Sequence, residues 1–484
     1  MSVFNASFFR QQCYINGHWV DASDQQVADV VDPASAEIIA QVPMLPAKDL
    51  EGCIVSAEQA GQQWKQQSAT QRSQLLKKWH QLILENQAGL AELMTREQGK
   101  PLSEAIGEIA YAASYIEWFA EEAVRMHGDT LTGPGQHKRG LVIRQPVGLC
   151  AAITPWNFPA AMLTRKIAPA LAAGCSIIVK PALETPLSAL ALAALADEAG
   201  IPAGVLNVVT GDGPALGKVL TQNERVRKLS FTGSTQTGSL LMAASARHVQ
   251  KISLELGGNA PFIVFADADL ERAVQGAIDS KFRNAGQTCV CANRIYVHES
   301  LYDAFLQRFQ QATQQLIVGN GLLPESQIGP LINQQAVHKV NQQIEDALAK
   351  GARLVCGGPA SASDGLWFTP TILADATSAM RCAHEETFGP MAPVFKFTDE
   401  HEVISQANAT PFGLAAYFYT QNIDRMWRVA EQLEVGMVGV NTGIISSASA
   451  PFGGIKSSGT GREGSRFGLD EYTELKYICL ELEA

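Results

Sequence analysis

The chain has 484 residues and a net charge of −11, with 46% hydrophobic and 18% charged residues. That length is too great for one hydrophobic core, so two or three domains are expected. The acidic balance and the lack of a Lys/Arg-rich run argue against a nucleic-acid partner.

In chain order, residues 50–124 carry a mostly helical pattern with breaks at 67–72 and 98–101. Residues 130–145 look like strand without a helical partner, as do 470–479. These two segments pair with each other or with another subunit, so a homo-oligomer, dimer or tetramer, is expected. Between 148 and 258 two periods alternate. Residues 149–154, 176–180, 205–210, 228–232 and 252–256 make short buried strands, and 160–173, 186–199, 215–221 and 235–247 make helices. Leu187, Leu190 and Ala194 share one helix face, with Gly200 as C-cap. The alternation predicts a doubly wound parallel sheet, which binds ligands at the carboxyl ends of its strands. A second α/β block follows. It has a strand at 261–265 and a helix capped by Asp267 or Asp269, with Leu270, Val274, Ile278 and Phe282 as its stripe. A strand at 294–298, a helix from Leu301 and further units to about Val440 complete it.

The longest apolar stretch, 167–179, is too short to span a bilayer and contains Pro169 and Gly174. No apolar signal core precedes Asn16, so a cytoplasmic protein without membrane contact is expected. Nine cysteines without Cys-x-x-Cys spacing fit a reducing compartment. With no His-Glu-x-x-His pattern either, no metal is expected.

Cys289 follows the turn Gly286-Gln287-Thr288, whose backbone N–H groups can face an oxyanion. On its residues alone it is as readily a core cysteine. Glu255, in Leu254-Glu255-Leu256-Gly257-Gly258, is either a solvated strand-end carboxylate or a general base. A thiol with a carboxylate suits covalent catalysis on a carbonyl, since a thiolate attacks carbon and a carboxylate activates water. Asn157 sits in the stiff turn Pro155-Trp156-Asn157-Phe158-Pro159, where asparagine is a common turn former. Two glycine-rich turns follow predicted strands, at 211–217 and 231–238. The first is one residue too long for the dinucleotide fingerprint, and it is taken as structural.

These segments, with Phe282-Arg283-Asn284-Ala285-Gly286-Gln287-Thr288-Cys289 and Phe231-Thr232-Gly233-Ser234-Thr235-Gln236-Thr237-Gly238, resemble the active-site segments of aldehyde dehydrogenases. The resemblance implies that family's α/β fold. A doubly wound cofactor domain would take residues 1–123 and 147–257, a catalytic domain 258–455, and a small β oligomerisation arm 124–146 and 456–484. It makes Cys289 the nucleophile that forms a thiohemiacetal and then a thioester. Glu255 becomes the base for thiol and water, and the Asn157 side-chain amide and the Cys289 N–H become the oxyanion donors. The presence of Glu255 implies release to water rather than to coenzyme A. A nicotinamide dinucleotide would meet Trp156, Lys180, Leu183, Gly233, Ser234, Leu256, Glu386 and Phe388.

Longer matches, at 9–12, 108–122, 281–294, 441–446 and 450–454, are most similar to bacterial succinate-semialdehyde dehydrogenases. They imply oxidation of succinate semialdehyde to the dicarboxylate, with glutarate semialdehyde or a broader aldehyde range as the alternative. Arg165, Arg283 and Ser446 would hold the distal carboxylate, a task suited to the planar guanidinium. Two departures stand out. Leu183 replaces the Glu of NAD-preferring relatives and the Ser or Thr of NADP-accepting ones. With Lys180 still present, the balance between NADP and NAD tilts to NADP. The loop Ser447-Ala448-Ser449 also differs, which leaves chain-length preference open, since one methylene is worth only about 1–3 kcal/mol. Cys291, two residues after Cys289, either closes a redox disulfide or packs beneath the loop.

Overall fold

In the computed structural model, which describes residues 3–133 and 135–482, the first alternating block forms one parallel sheet. Its strands lie in the order Leu206–Val208, Ile177–Lys180, Leu149–Ile153, Val226–Thr232, Lys251–Glu255. The order reverses between Leu149–Ile153 and Val226–Thr232. A crevice therefore opens between the turns that follow these two strands, at 154–158 and 233–234. An antiparallel hairpin, Cys13–Ile15 with His18–Val20, extends one edge, and Gly459–Thr460 pairs antiparallel at the other. The sequence pattern showed neither addition, because such short strands leave no period.

Helix Ala161–Ala173 lies wholly inside, every residue buried, Arg165 and Lys166 included. Helix Leu187–Ala199 ends at Gly200, whose φ of 90° is the left-handed C-cap the sequence predicted. The N-terminal helices are Ala47–Trp64, Ala69–Glu85, Gln87–Gln98 and Leu102–Ala123. The first break is shorter than the expected 67–72. Ser68 and Gln71 form a capping box, so the next helix starts at Ala69. A further break falls at Asn86, where no proline or glycine marks it. Trp64 and Trp79 are fully buried and donate their indole N–H groups to Leu171 O and Leu192 O, both at 3.0 Å. These bonds fix the helical layer to the sheet's own helices.

The second block forms a seven-stranded sheet ordered Arg353–Cys356, Thr371–Ala374, Met391–Phe397, Ala292–His298, Ala260–Val264, Ala415–Tyr419, Met437–Val440. All neighbours are parallel except the first pair. Each sheet has its own large apolar core. Only residues 256–259 join the last parallel strand of the first sheet to Ala260–Val264 of the second.

The segments at 130–145 and 470–479 do pair with each other. Thr473–Glu481 runs antiparallel to Lys138–Pro146, from Thr473 opposite Pro146 to Glu481 opposite Lys138. Asp129–Leu131 adds a third strand. Leu475, Tyr477 and Leu480 are exposed on this arm.

Candidate active site

The thiol loop is built from a helix end. Helix Leu270–Phe282 is capped by Asp269, whose carboxylate accepts the Arg272 N–H at 3.1 Å. After Phe282 the chain turns through three left-handed residues, Asn284 (φ 51°), Ala285 (φ 54°) and Gly286 (φ 73°). A Cβ on Gly286 would lie 2.3 Å from Gly389 O, so glycine is required there. The turn leaves Cys289 partly exposed and buries Cys291. Cys291 packs beneath the loop and donates its thiol to Ser280 O and Lys281 O, each at 3.0 Å.

Cys289, Glu255 and Asn157 line one cavity of about 580 Å³. Glu255 arrives at the carboxyl end of Lys251–Glu255, is buried, and leaves one carboxylate oxygen without a partner. Asn157 is buried on the opposite turn. Its side-chain amide donates to Gln287 O at 2.9 Å, which leaves its second N–H for another acceptor. Its carbonyl accepts from Lys100 Nζ at 2.8 Å and from the Asn284 side chain at 3.0 Å, so the turn is tied to the thiol loop.

Although Cys289 opens partly to the cavity, the surrounding protein desolvates its thiol and pushes it up to about 12; Arg165 pulls it down, while Glu386 and Glu255 oppose ionisation. Burial also raises Glu255 well above the usual carboxylate range, aided by Glu463 and against the pull of Lys166, Arg165 and Arg462. The resting thiol is therefore protonated, and the Glu255 carboxyl holds its proton more tightly than an exposed one, which makes it a stronger base once ionised.

Trp156, Gly233, Ser234, Leu256, Glu386 and Phe388 line the same cavity. Ser234 caps helix Thr235–Ser245, accepting the Thr237 N–H at 3.2 Å, so the helix opens its N-terminus there. Glu386 accepts the Gly258 N–H at 3.1 Å, and a Cβ on Gly257 would come within 3.0 Å of its carboxylate. Phe388 packs edge-to-face on Trp156, centroids 5.6 Å apart. A helix N-terminus suits a phosphate, and a glycine floor under a carboxylate suits a ribose, so these residues fit a dinucleotide.

Lys180, Leu183, Arg165, Arg283 and Ser446 do not line this cavity. Lys180 is buried, its amine on Pro181 O at 3.1 Å, and burial lowers its pKa against the pull of Glu184 and Asp212. Leu183 packs half-buried against the first core. In the turn at 211–217, Asp212 caps helix Gly213–Gln222. Arg165 is fixed by Tyr111, at 2.6 Å, and by Glu463, at 3.5 Å. Its guanidinium lies 4.0 Å from the Phe452 ring centre. That of Arg283 lies 5.3 Å from Phe158. Both charges nonetheless bear on Cys289. Ser446 is half-buried in its loop.

Sequence reasoning missed several contributors. Lys166 is fully buried and holds Thr232 and Glu463. Glu463 comes from the far end of the chain, so no local pattern pointed to it. His338 and Lys339, on helix Gln334–Ala349, form the cavity's outer wall, with only an ordinary amphipathic stripe as signal. Among the described residues, no group of three or more His, Cys, Asp or Glu is arranged to hold a metal ion. No helix among them is long and apolar enough to cross a membrane.

Comparison with known proteins agrees with this geometry. The chain is 57% identical, over the full length of both, to a succinate-semialdehyde dehydrogenase [NADP(+)] of Escherichia coli. It is equally 57% identical, over the full length of both, to a glutarate-semialdehyde dehydrogenase of Pseudomonas putida. A crystal structure of succinate-semialdehyde dehydrogenase from Burkholderia pseudomallei superposes with a TM-score of 0.98, at 55% identity over 99% of each chain. The family model of the aldehyde dehydrogenases matches residues 19–478, and the chain belongs to the aldehyde dehydrogenase family.

Proposed function

We propose that this enzyme oxidises an ω-carboxy aldehyde, succinate semialdehyde, to the dicarboxylate, with NADP or NAD as the hydride acceptor. The observation that carries the reading is the meeting of Cys289, Glu255 and Asn157 in one cavity with the dinucleotide-type lining. Full-length identity to the succinate-semialdehyde enzyme supports the substrate. Equal identity to the glutarate-semialdehyde enzyme keeps the longer substrate as a second reading.

The chain's own groups supply most of the chemistry. Glu255 takes the Cys289 proton, and the thiolate attacks the aldehyde carbon. The free N–H of Asn157 and the Cys289 backbone N–H face the developing oxyanion; one such donor is worth roughly 3–4 kcal/mol. A nicotinamide dinucleotide bound in the cavity supplies the hydride acceptor. Glu255 then passes the thiol's proton to solvent and can withdraw one from the water that hydrolyses the thioester to the acid and free Cys289. Arg165 and Arg283, whose charges bear on the thiol from outside the cofactor cavity, hold the distal carboxylate, with Ser446 beside them. Lys180, with Glu184 and Asp212 around it, sets the choice at the adenosine ribose, and the absence of an acidic residue at 183 favours NADP.

The reading extends to assembly. A homo-oligomer covers the exposed Leu475, Tyr477 and Leu480 of the arm, and nine cysteines with no disulfide suit a cytoplasmic enzyme. The deciding experiment is kcat/KM for succinate semialdehyde, glutarate semialdehyde and an uncharged aldehyde with each cofactor. A preference for the uncharged aldehyde would refute the ω-carboxy substrate.

A further inference from the structure

Between the oxyanion turn and the nucleophile lies a stretch of backbone that does not hold its shape unaided. Asn284 and Ala285 are consecutive non-glycine residues in the left-handed region, at φ 51° and 54°. Such a pair persists only where its surroundings over-determine it. The main-chain N–H of Asn284 is gripped by both carboxylate oxygens of Glu104, at 2.9 and 3.2 Å. Glu104 stands in the first turn of helix Leu102–Ala123, outside both sheets. The side-chain amide of Asn284 then donates to Asn157 O at 3.0 Å and to Gln287 O at 3.3 Å. Gln287 O is also the acceptor for the Asn157 side chain.

We propose that Glu104 is a positioning residue for the reaction, acting through the Asn284 amide to set the spacing between Cys289 and the oxyanion donor Asn157. This rests on the function proposed above. Glu104 touches neither thiol nor cofactor cavity. It clamps one backbone amide, and that amide's residue bridges the two loops whose relative position defines the oxyanion site. Neighbouring carboxylates serve different duties. Glu108 pairs with Lys100 and accepts the N–H groups of Ala160 and Ala161 at 3.0 and 3.2 Å. Glu97 accepts those of Leu187 and Ser188 at 2.7 and 2.8 Å. Both cap helix starts, whereas the Glu104 acceptor is spent on a loop amide. Burial raises the Glu104 carboxyl above the usual carboxylate range, while Lys100, Arg283 and the Asn284 N–H itself pull it back; in the ionised form the bond to the amide is charge-assisted.

The test uses the full-length enzyme with Glu104→Ala, Glu104→Gln and Asn284→Ser. Three quantities are read: the iodoacetamide alkylation rate of Cys289 by peptide mass, kcat and KM for succinate semialdehyde, and cofactor affinity. Loss of a charge-assisted bond predicts that Glu104→Ala lowers alkylation and kcat together by about ten-fold or more, with cofactor affinity unchanged. Glu104→Gln keeps an acceptor oxygen for the amide and restores most of both. Asn284→Ser keeps the Glu104 bond but cuts the bridge to Asn157, so kcat falls while KM holds. Wild-type alkylation and kcat in Glu104→Ala would overturn the proposal. So would a loss in Glu104→Gln as large as in Glu104→Ala, or a wild-type kcat in Asn284→Ser. Should Glu104→Ala fail to fold, the other two variants decide. Alkylation needs no aldehyde, so a wild type that ignores succinate semialdehyde would sink the proposed substrate and leave this test standing.

Discussion

The two parallel sheets meet the cavity in opposite senses. The first contributes from its carboxyl ends: Trp156 and Asn157 follow Leu149–Ile153, Gly233 and Ser234 follow Val226–Thr232, and Glu255 closes Lys251–Glu255. The second contributes from its amino ends: Cys289 precedes Ala292–His298, and Glu386 and Phe388 precede Met391–Phe397. The rule that open α/β sheets bind ligands beyond their carboxyl ends therefore locates half of this site and misses the other half. The first sheet offers backbone amides and a helix N-terminus, which suit a bound anion. The second offers a thiol on a loop tied to itself through Asn284 and Gln287 and to the rest of the fold through Glu104 and Asn157.

Substitutions can divide the two halves functionally. The largest effect is expected at Cys289→Ala, which should abolish turnover while leaving cofactor binding intact, because the dinucleotide-type lining lies mainly on other residues. Retained turnover would refute covalent catalysis. Next comes Glu255→Gln, expected to lower kcat by about 10²–10⁴-fold through loss of the base. Rapid-mixing measurement should locate the slow step at thioester hydrolysis, and an unchanged kcat would assign Glu255 to structure.

A smaller effect concerns substrate. Arg283→Ala should raise KM for succinate semialdehyde about 10–100-fold, the value of a charge-assisted bond, and affect an uncharged aldehyde far less. Equal losses on both would make Arg283 structural. The pH dependence sharpens the comparison further. With the Cys289 thiol held at about 12, its alkylation in the cofactor-free enzyme should still climb beyond about pH 9, where an ordinary thiol of pKa ~8.5 has levelled off. A plateau near pH 8.5 would mean that burial does not govern the thiol. The smallest shift is expected on the cofactor side. Leu183→Glu should move preference toward NAD by up to about five-fold, as befits a half-exposed charge. An unchanged NAD to NADP ratio of kcat/KM would place position 183 away from the ribose.

How much was legible in the sequence follows the same division. The strands at 149–154, 176–180, 228–232 and 252–256 were placed within two residues, since buried strands and Gly-capped helices carry strong periods. Family motifs brought Cys289, Glu255, Asn157, Glu386 and Phe388 to notice, and all five line the cavity. Contacts joining distant segments were not legible. Glu463 beside Lys166, Glu104 on Asn284 and Lys100 on Asn157 depend on tertiary approach, and nothing local to those residues announces a partner. The hairpin at 13–20 was missed because strands of three residues show no alternation.

The four residues 256–259 that link the sheets have a mechanical consequence. A connection this short has no slack, and the chain's return from Met437–Val440 to Gly459–Thr460 is the longer of the two crossings. Gly258 leans on the thiol loop so closely that a Cβ there would lie 2.6 Å from Cys289 O, and its N–H is held by Glu386. Glu255, Cys289 and Glu386 thus all meet at this short link. A side chain at Gly257 or Gly258 would therefore press directly on these groups, so the link must stay bare for the two sheets to share one cavity.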